Sequence, residues 1–377
     1  MVRAAVVLAR GGAPGVVWGV ALGVVLGGWV AAGCSVAPNQ GIWTKHLDSG
    51  TPLFRVVVGG KAGYIDREGR VVIPPQFAPN TYFNESHGDF VQGVAEVTGD
   101  TNGGTTGLLL YPDGKRTAKD GPLDRYYEGL STFMEKPAMD RTKPPRLVGM
   151  LGYENERGEK VIPARFAFGG EYAEGLAPVA LDGACWVRSP IGGRWPAPSA
   201  EQVFTSCGPL PAESVTEPCR HGFIDKSGQF VIPAEYELAR SFREGRAAVR
   251  KSQRWGFVDR DGKVAVRFVY DEVRDFRESL AAVRREGRWE YVDRAGETVI
   301  AGPYEDALAF GSGLAPVKVR GAWSYLNTRG GTAIAGPFLQ ATVFVQGLAH
   351  VQLAKARWAW IDPQGRRVFE YEWDAAR

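Results

Sequence analysis

Residues able to do chemistry are sparse in this 377-residue chain, and they are unevenly placed. It has four cysteines, Cys34, Cys185, Cys207 and Cys219, and four histidines, His46, His87, His221 and His350. Three of the cysteines share one irregular stretch. In an oxidising compartment, thiols placed this way pair and staple loops that lack a core of their own. Three cysteines allow three pairings, and sequence alone does not choose among them. Cys219-Arg220-His221 also sets an imidazole beside a thiol, a fragment of a zinc site. The spacings match no ribbon or finger, so the sequence predicts no metal and no cofactor. None of the histidines sits in a triad setting or a metal-ligand pair, and no catalytic residue is predicted.

The carboxylates have two readings. Two acids from distant segments that meet in space are what glycan hydrolysis requires. Yet Asp66, Asp225, Asp259, Asp293 and Asp362 each precede a glycine by three residues, at Gly69, Gly228, Gly262, Gly296 and Gly365. Asp at the first position of a type I turn and Gly at the fourth is a turn signature, which accounts for these acids without catalysis. Glu244 and Glu278, before Gly245 and Ser279, read as strand-entry residues. Tryptophans divide in the same way: those in a regular series belong to packing. Trp186 and Trp195 lie in the irregular stretch, where no packing rule demands them, and are the binding candidates.

What positions these residues is a repeat. Trp255, Trp289, Trp323 and Trp358 are separated by 34, 34 and 35 residues, and each opens the same phrase, as in Trp255-Gly256-Phe257-Val258-Asp259. Earlier copies are Gly63-Tyr64-Ile65-Asp66, Gly152-Tyr153-Glu154-Asn155, Gly222-Phe223-Ile224-Asp225 and a degenerate Gly107-Leu108-Leu109-Leu110, which makes eight units. A second phrase keeps a fixed offset, running from Phe242 to Val249, Phe276 to Val283, Phe310 to Val317 and Phe344 to Val351. One supersecondary unit is being copied along the chain.

Together the two phrases resemble the WG-repeat family of bacterial proteins over roughly Leu53 to the end. Glu290, Ser324 and Ala359 stand where that pattern has glycine, so the position tolerates a side chain. The resemblance implies a binding or scaffolding unit with no fixed partner class.

Within a unit, Ala281 and Val283 alternate with Arg284 at period two, and Trp289 to Val292 is aromatic and β-branched, so both runs read as strands. After the Asp293 turn a third strand, Glu297 to Ile300, returns as a hairpin. A spacer, Tyr304-x-x-Ala307-x-x-Phe310, offers aromatics to plug the gap to the next unit. Three short strands cannot stand alone in water, so neighbours must cover them. The predicted fold class is all-β, tandem repeats of about three short strands, with a propeller-like ring favoured over an open β-solenoid.

Domain limits follow. Residues 1–33 form a leader: Arg3 and Arg10 precede a Gly-rich apolar core, Val16 to Val30, too short for a stable membrane span. Ala31-Ala32-Gly33-Cys34 resembles a bacterial lipobox, with Ala31 where that pattern most often has Leu. It implies cleavage after Gly33 and lipidation of Cys34, and Ser35 fits sorting to the outer membrane. Residues 34–50 form a tether and 51–377 the repeat domain, interrupted at 181–221 by a Cys/Pro-rich insertion. Net charge is +3, and Arg3 and Arg10 supply two of those charges, so the mature chain lacks the footprint of a nucleic-acid binder. The expected function is a non-catalytic, lipid-anchored interaction scaffold of the cell envelope, held to the membrane by its acyl anchor and binding a protein, peptide or glycan. The alternative is a cell-envelope glycan hydrolase using acids from separate repeats.

Overall fold

A computed structural model describes residues 52–78, 95–101, 104–118, 127–140, 146–181, 186–188, 194–196 and 220–373. The leader, the tether, Cys34, Cys185, Cys207, Cys219, His46 and His87 lie outside the described residues. The chain divides into Met1–Cys34 and Ser35–Arg377, and the second unit contains everything that follows.

The described residues of this unit are strands and turns, with a two-stranded hairpin at 186–196 and eight larger antiparallel sheets in chain order at 54–77, 95–118, 130–166, 168–236, 238–270, 272–304, 306–338 and 340–372. The first three have three strands and the other five have four. In the fifth, Ala247–Lys251, Arg254–Val258 and Val264–Tyr270 form a meander, preceded by the two-residue strand Leu238–Ala239. The extra strand is cut from the expected spacer: Leu238 and Ala239 pair with Arg250 and Val249. The spacer's aromatic then does as expected. Phe242 lies on Phe223 with ring centroids 4.9 Å apart, Phe276 on Phe257 at 4.7 Å, Phe310 on Tyr291 at 5.0 Å and Phe344 on Tyr325 at 5.1 Å. These edge-on or tilted pairs suit the ring quadrupole and fix each sheet against the next.

The tolerated side chains at the glycine position have a geometric explanation. Across Trp255 to Phe257 the partner strand runs from Tyr270 to Val266, so two extra residues form a bulge. The bulge backbone presses on the glycine: a Cβ at Gly256 would sit 2.6 Å from the Val266 carbonyl oxygen, and one at Gly222 2.5 Å from that of Ile232. Where Glu290 or Ser324 replaces the glycine, the facing bulge carries its own, Gly302 or Gly336. At Ala359 the bulge is gone, and Trp358 and Trp360 pair in step with Tyr371 and Phe369. Glycine is therefore a requirement of the bulge, met from either strand.

From the fourth sheet on, each turn glycine also packs on the preceding sheet: a Cβ on Gly262, Gly296 or Gly330 would meet Ile232, Val266 or Ile300. Gly69 of the first sheet makes the same approach to Val368 of the eighth, 2.5 Å from its carbonyl oxygen. Phe54, Val56 and Ile65 share a core with Leu348 and Tyr371, and the Trp360 indole donates to the Arg55 carbonyl oxygen at 3.0 Å. First and last sheets thus meet, and the array is propeller-like rather than open.

Candidate functional site

The residue types that suggested chemistry are placed by the repeat itself. Asp259 Oδ1 accepts the backbone N–H groups of Asp261 at 3.0 Å and Lys263 at 2.9 Å, while its carbonyl accepts from Gly262. The same pair of side-chain bonds recurs at Asp66, Asp225, Asp293 and Asp362. Gly262 has φ of 81°, the left-handed conformation that glycine enters without strain. The repeated aspartates are turn residues. The Ser227 hydroxyl, with the Gln229 and Ser227 amides, holds the Asp225 carboxyl below the usual range.

The glutamates of the second phrase do something the sequence reading missed. Glu128 accepts the N–H of Gly175 at 3.0 Å, Glu174 that of Gly245 at 2.9 Å, Glu244 those of Glu278 and Ser279 at 2.7 and 2.8 Å, and Glu278 that of Gly313 at 2.9 Å. Each carboxylate therefore ties its own turn to the equivalent turn of the following repeat. Glu128, Glu174, Glu244 and Glu278 themselves have φ between 52° and 55°, unusual for a side-chain-bearing residue and sustained by the bonds they make. Burial opposes ionisation of Glu244, but Arg294 and the two amides outweigh it, and its proton affinity falls. The one signal in sequence was a glutamate before Gly or Ser at a constant place, which strand entry explained equally well.

Tryptophans of the series are core residues. Trp255 and Trp289 are each 2% exposed. The Arg240 guanidinium lies 5.2 Å over the Trp255 ring and bonds Asp275, and Arg274 lies 4.9 Å over Trp289 and pairs with Glu272 and Asp306. Trp358, at the closing seam, is only half-buried and stacks on His350 at 4.7 Å. His350 in turn meets the Tyr371 hydroxyl at 2.8 Å, and burial with the nearby Arg55 charge lowers its pKa to about 3.

His221 lies next to Cys219 in sequence, and the structure gives it a core position. It pairs with Tyr236 as Trp255 pairs with Tyr270, so it occupies the repeated tryptophan's place. Its ring packs on Phe168 at 5.2 Å, and burial drives its pKa down to about 4. No group of three metal-ligating side chains occurs among the described residues. His221 is also the first residue of a strand, His221–Ile224, so the last residue of the expected insertion belongs to the sheet.

Trp186 and Trp195 lie on a two-stranded hairpin, Trp186–Arg188 with Arg194–Pro196. Trp186 is opposite Pro196 and Trp195 opposite Val187, so the two hold alternating register positions. The hairpin's second strand adjoins Arg146–Asn155 of the third sheet. That strand and its partner, Leu130–Asp140, are the longest in the described chain, twice the usual length. Both departures from the repeat thus fall together.

Comparison with known families agrees with the repeat just described. The WG containing repeat matches residues 63–78, 152–184, 222–254, 255–289 and 291–323. The chain carries the WG repeat in five segments. None of the curated proteins matches it. Among solved structures it is similar to KlHsv2 with loop 6CD replaced by a Gly-Ser linker, at 14% identity and TM-score 0.30 over 42% of this chain and 61% of that one. It therefore spans less than two thirds of that protein. Crystal structures of a eukaryotic initiation factor (11% identity, TM-score 0.46, 86% of this chain and 96% of that) and of BamB from Moraxella catarrhalis (10%, 0.37, 83% and 94%) are further likenesses. Resemblance this loose carries no functional argument. Three of the five WG matches begin at or immediately after a bulge-facing glycine, Gly63, Gly152 or Gly222, which ties the family pattern to the geometry above.

Proposed function

We propose that this repeat protein is a non-catalytic interaction scaffold of the bacterial cell envelope, held to the outer membrane by a lipid on Cys34. The observation that carries the reading is the engagement of the repeated side chains. The aspartates close turns, the glutamates tie repeats and the regular tryptophans fill cores, which leaves recognition to the parts that do not repeat. Those are the long hairpin of the third sheet and the adjoining Trp186–Pro196 hairpin, which belong to no repeated phrase. A protein, peptide or glycan of the envelope is the partner class, with Trp186 and Trp195 as contacts. Nothing in the reading requires a cofactor, metal or nucleic acid.

For glycan hydrolysis, no general acid is found among the five carboxyls whose proton affinity is displaced. A general acid needs a carboxyl with raised proton affinity. Asp66, Glu128, Asp225, Glu244 and Glu370 are all displaced the other way.

The test is affinity purification from native membranes, with mass spectrometry of both the captured partner and the Cys34 peptide. Replacing residues 182–219 by a short turn bridges Ala180 and His221, which are already cross-strand neighbours. The shortened chain is expected to keep its fold and lose the partner. Capture of the same partner by this variant would falsify the assignment of recognition to the insertion, and an unmodified Cys34 would refute the anchor.

A further inference from the structure

The eighth sheet departs from its neighbours at one titratable residue. Opposite the repeated aromatic, the fourth to seventh sheets carry Pro178, Ala248, Ala282 and Pro316, facing Phe223, Phe257, Tyr291 and Tyr325. In the eighth sheet the residue opposite Trp360 is His350, and in the first the residue opposite Tyr64 is Arg55. These are the two sheets that meet. The repeat therefore sets a permanent cation and an imidazole at equivalent places on the two sides of one joint.

That imidazole is built into the joint. It stacks on both Trp358 and Trp360, 4.7 Å from each ring, and its Nε2 meets the Tyr371 hydroxyl at 2.8 Å. The same aromatics hold the first sheet. The Trp360 ring lies 5.1 Å from that of Phe54, its indole N–H donates to the Arg55 carbonyl oxygen, and Tyr371 shares a core with Phe54, Val56 and Ile65. Of the groups that face His350, Arg55 on the first sheet is charged and Tyr371 on the last strand is titratable. The two indoles, and the Thr342 hydroxyl that accepts the His350 N–H at 2.9 Å, carry no charge. Burial and the Arg55 charge both oppose protonation of the ring.

Other joints are stitched by the backbone. A single residue separates Tyr236 from Leu238, Tyr270 from Glu272, Tyr304 from Asp306 and Phe338 from Gln340, so from the fourth sheet on each sheet runs directly into the next. The eighth and first sheets come from opposite ends of the array, and an imidazolium between them is relieved of Arg55 and returned to water when they part.

We propose that the joint between the eighth and first sheets is an acid-operated latch, with His350 as its titrating group and Arg55 as the charge that drives the sheets apart. The closed ring holds the imidazole neutral, with a pKa of about 3 against the ordinary 6.5. Closure is therefore fully favoured above pH 6.5 and loses ground as pH falls, because the open form takes up a proton that the closed form refuses. Opening uncovers Phe54, Val56 and Tyr371, which the closed ring buries.

Hydrogen exchange with mass spectrometry on the full chain at pH 7.5 and 5, corrected for the intrinsic pH dependence of exchange, reads the latch without partner or anchor. Peptides covering Phe54–Val58 and Arg357–Ile361 are expected to lose protection about thirtyfold at pH 5, the ratio set by a proton bound in the open form alone. Ala281–Arg285 and Arg288–Val292 of the sixth sheet are expected to keep theirs. His350→Gln, which still offers Tyr371 a hydrogen-bonding partner without a titrating ring, should exchange alike at both pH values. An equal loss in every sheet, no loss at the joint, or the same loss in His350→Gln overturns the proposal. The wild-type ring gives a second readout, because indole faces attract a cation. An NMR titration is expected to show His350 neutral down to pH 5 in the closed ring, and a midpoint at or above 6.5 would mean that the stack welcomes the charge and that the latch does not exist.

Discussion

Glu244 accepts the backbone N–H of Glu278 in the next repeat at 2.7 Å, and Glu278 accepts that of Gly313 in the repeat after it at 2.9 Å. A carboxylate in each turn is thus the acceptor for its successor, and one substitution loosens two repeats at a time. The tie is interrupted where Ser312 holds the glutamate's position, with the same left-handed φ of 54°, ahead of the Gln346-Gly347 turn.

Removing one tie and adding another should move stability in opposite directions. Glu244→Gln is expected to cost about 1–2 kcal/mol, because charge-assisted bonds to two amides become weaker neutral ones. Ser312→Glu is expected to raise the melting temperature by offering a carboxylate to the Gly347 turn. The Glu244 contribution has a definite pH sign. Its folded pKa lies below the ordinary 4.5, so the stabilisation is complete above about pH 4.5 and is lost as pH falls through the folded value. Thermal unfolding of both variants between pH 7 and 3 checks this, and a Glu244→Gln protein with unchanged stability at pH 7 would remove the ladder from the account.

Much of this architecture was legible because the repeat states it eight times. Period-two alternation, the Asp turns and the spacer aromatics are local rules, so a gap-filling role for Phe310 was readable, while its contact with Tyr291 needed the structure. The Glu244 ladder was not, since its partner lies 34 residues away and a glutamate before glycine also suits strand entry. Nor was the glycine swap: Glu290 looked like tolerance, and only the bulge opposite shows that Gly302 had taken over the duty. His221 beside Cys219 offered only a fragment of a zinc site, which the spacings set aside, and its real place in a tryptophan's seat is visible only in the register with Tyr236. Trp186 and Trp195 were singled out as outside the rhythm, and the hairpin they lie on is one that no repeat rule specifies.

The glycine swap can be tested by exchange across the strand. Gly222→Ser introduces a Cβ about where the Ile232 carbonyl and Ala234 amide lie, at 2.5 and 2.6 Å, and is expected to cost about 2 kcal/mol or more. Ala234→Gly alone should cost about 0.5–1 kcal/mol through added chain entropy. In combination they reproduce the arrangement at Ser324 and Gly336, so the double variant should be more stable than the sum of the two losses predicts. Denaturant unfolding of all three completes a double-mutant cycle, and strict additivity would show that the two positions do not share the bulge.

Acid sensitivity should be traceable to His221. Burial holds it neutral with a folded pKa of about 4, below the ordinary 6.5. The unfolded chain takes up the proton first, so stability falls as pH drops from 6.5 towards 4, by about 3 kcal/mol at the lower limit. His221→Phe, which keeps an aromatic ring on Phe168, should remove this share of the fall and leave that of His350, whose pKa of about 3 places it in the same window. Melting temperatures at pH 7, 6, 5 and 4 decide it: parallel curves for the two proteins would mean that the imidazole already carries its proton when folded.

Tryptophans of the two classes should separate stability from recognition. Trp289 is 2% exposed, has Arg274 over its face and shares a core with Tyr291 and Tyr304. Trp289→Ala is therefore expected to cost about 3–5 kcal/mol, the usual loss for a large buried aromatic. Trp186 lies on a hairpin of three-residue strands outside the eight repeated sheets, so Trp186→Ala should leave the melting temperature within a degree or two and weaken partner capture. Aromatic anchors at a recognition surface carry binding energy without carrying the fold. Calorimetry and capture from native membranes are read on the same preparations of both variants. Equal and small changes in melting temperature would reject the core assignment of Trp289, and unimpaired capture by Trp186→Ala would move the recognition surface elsewhere.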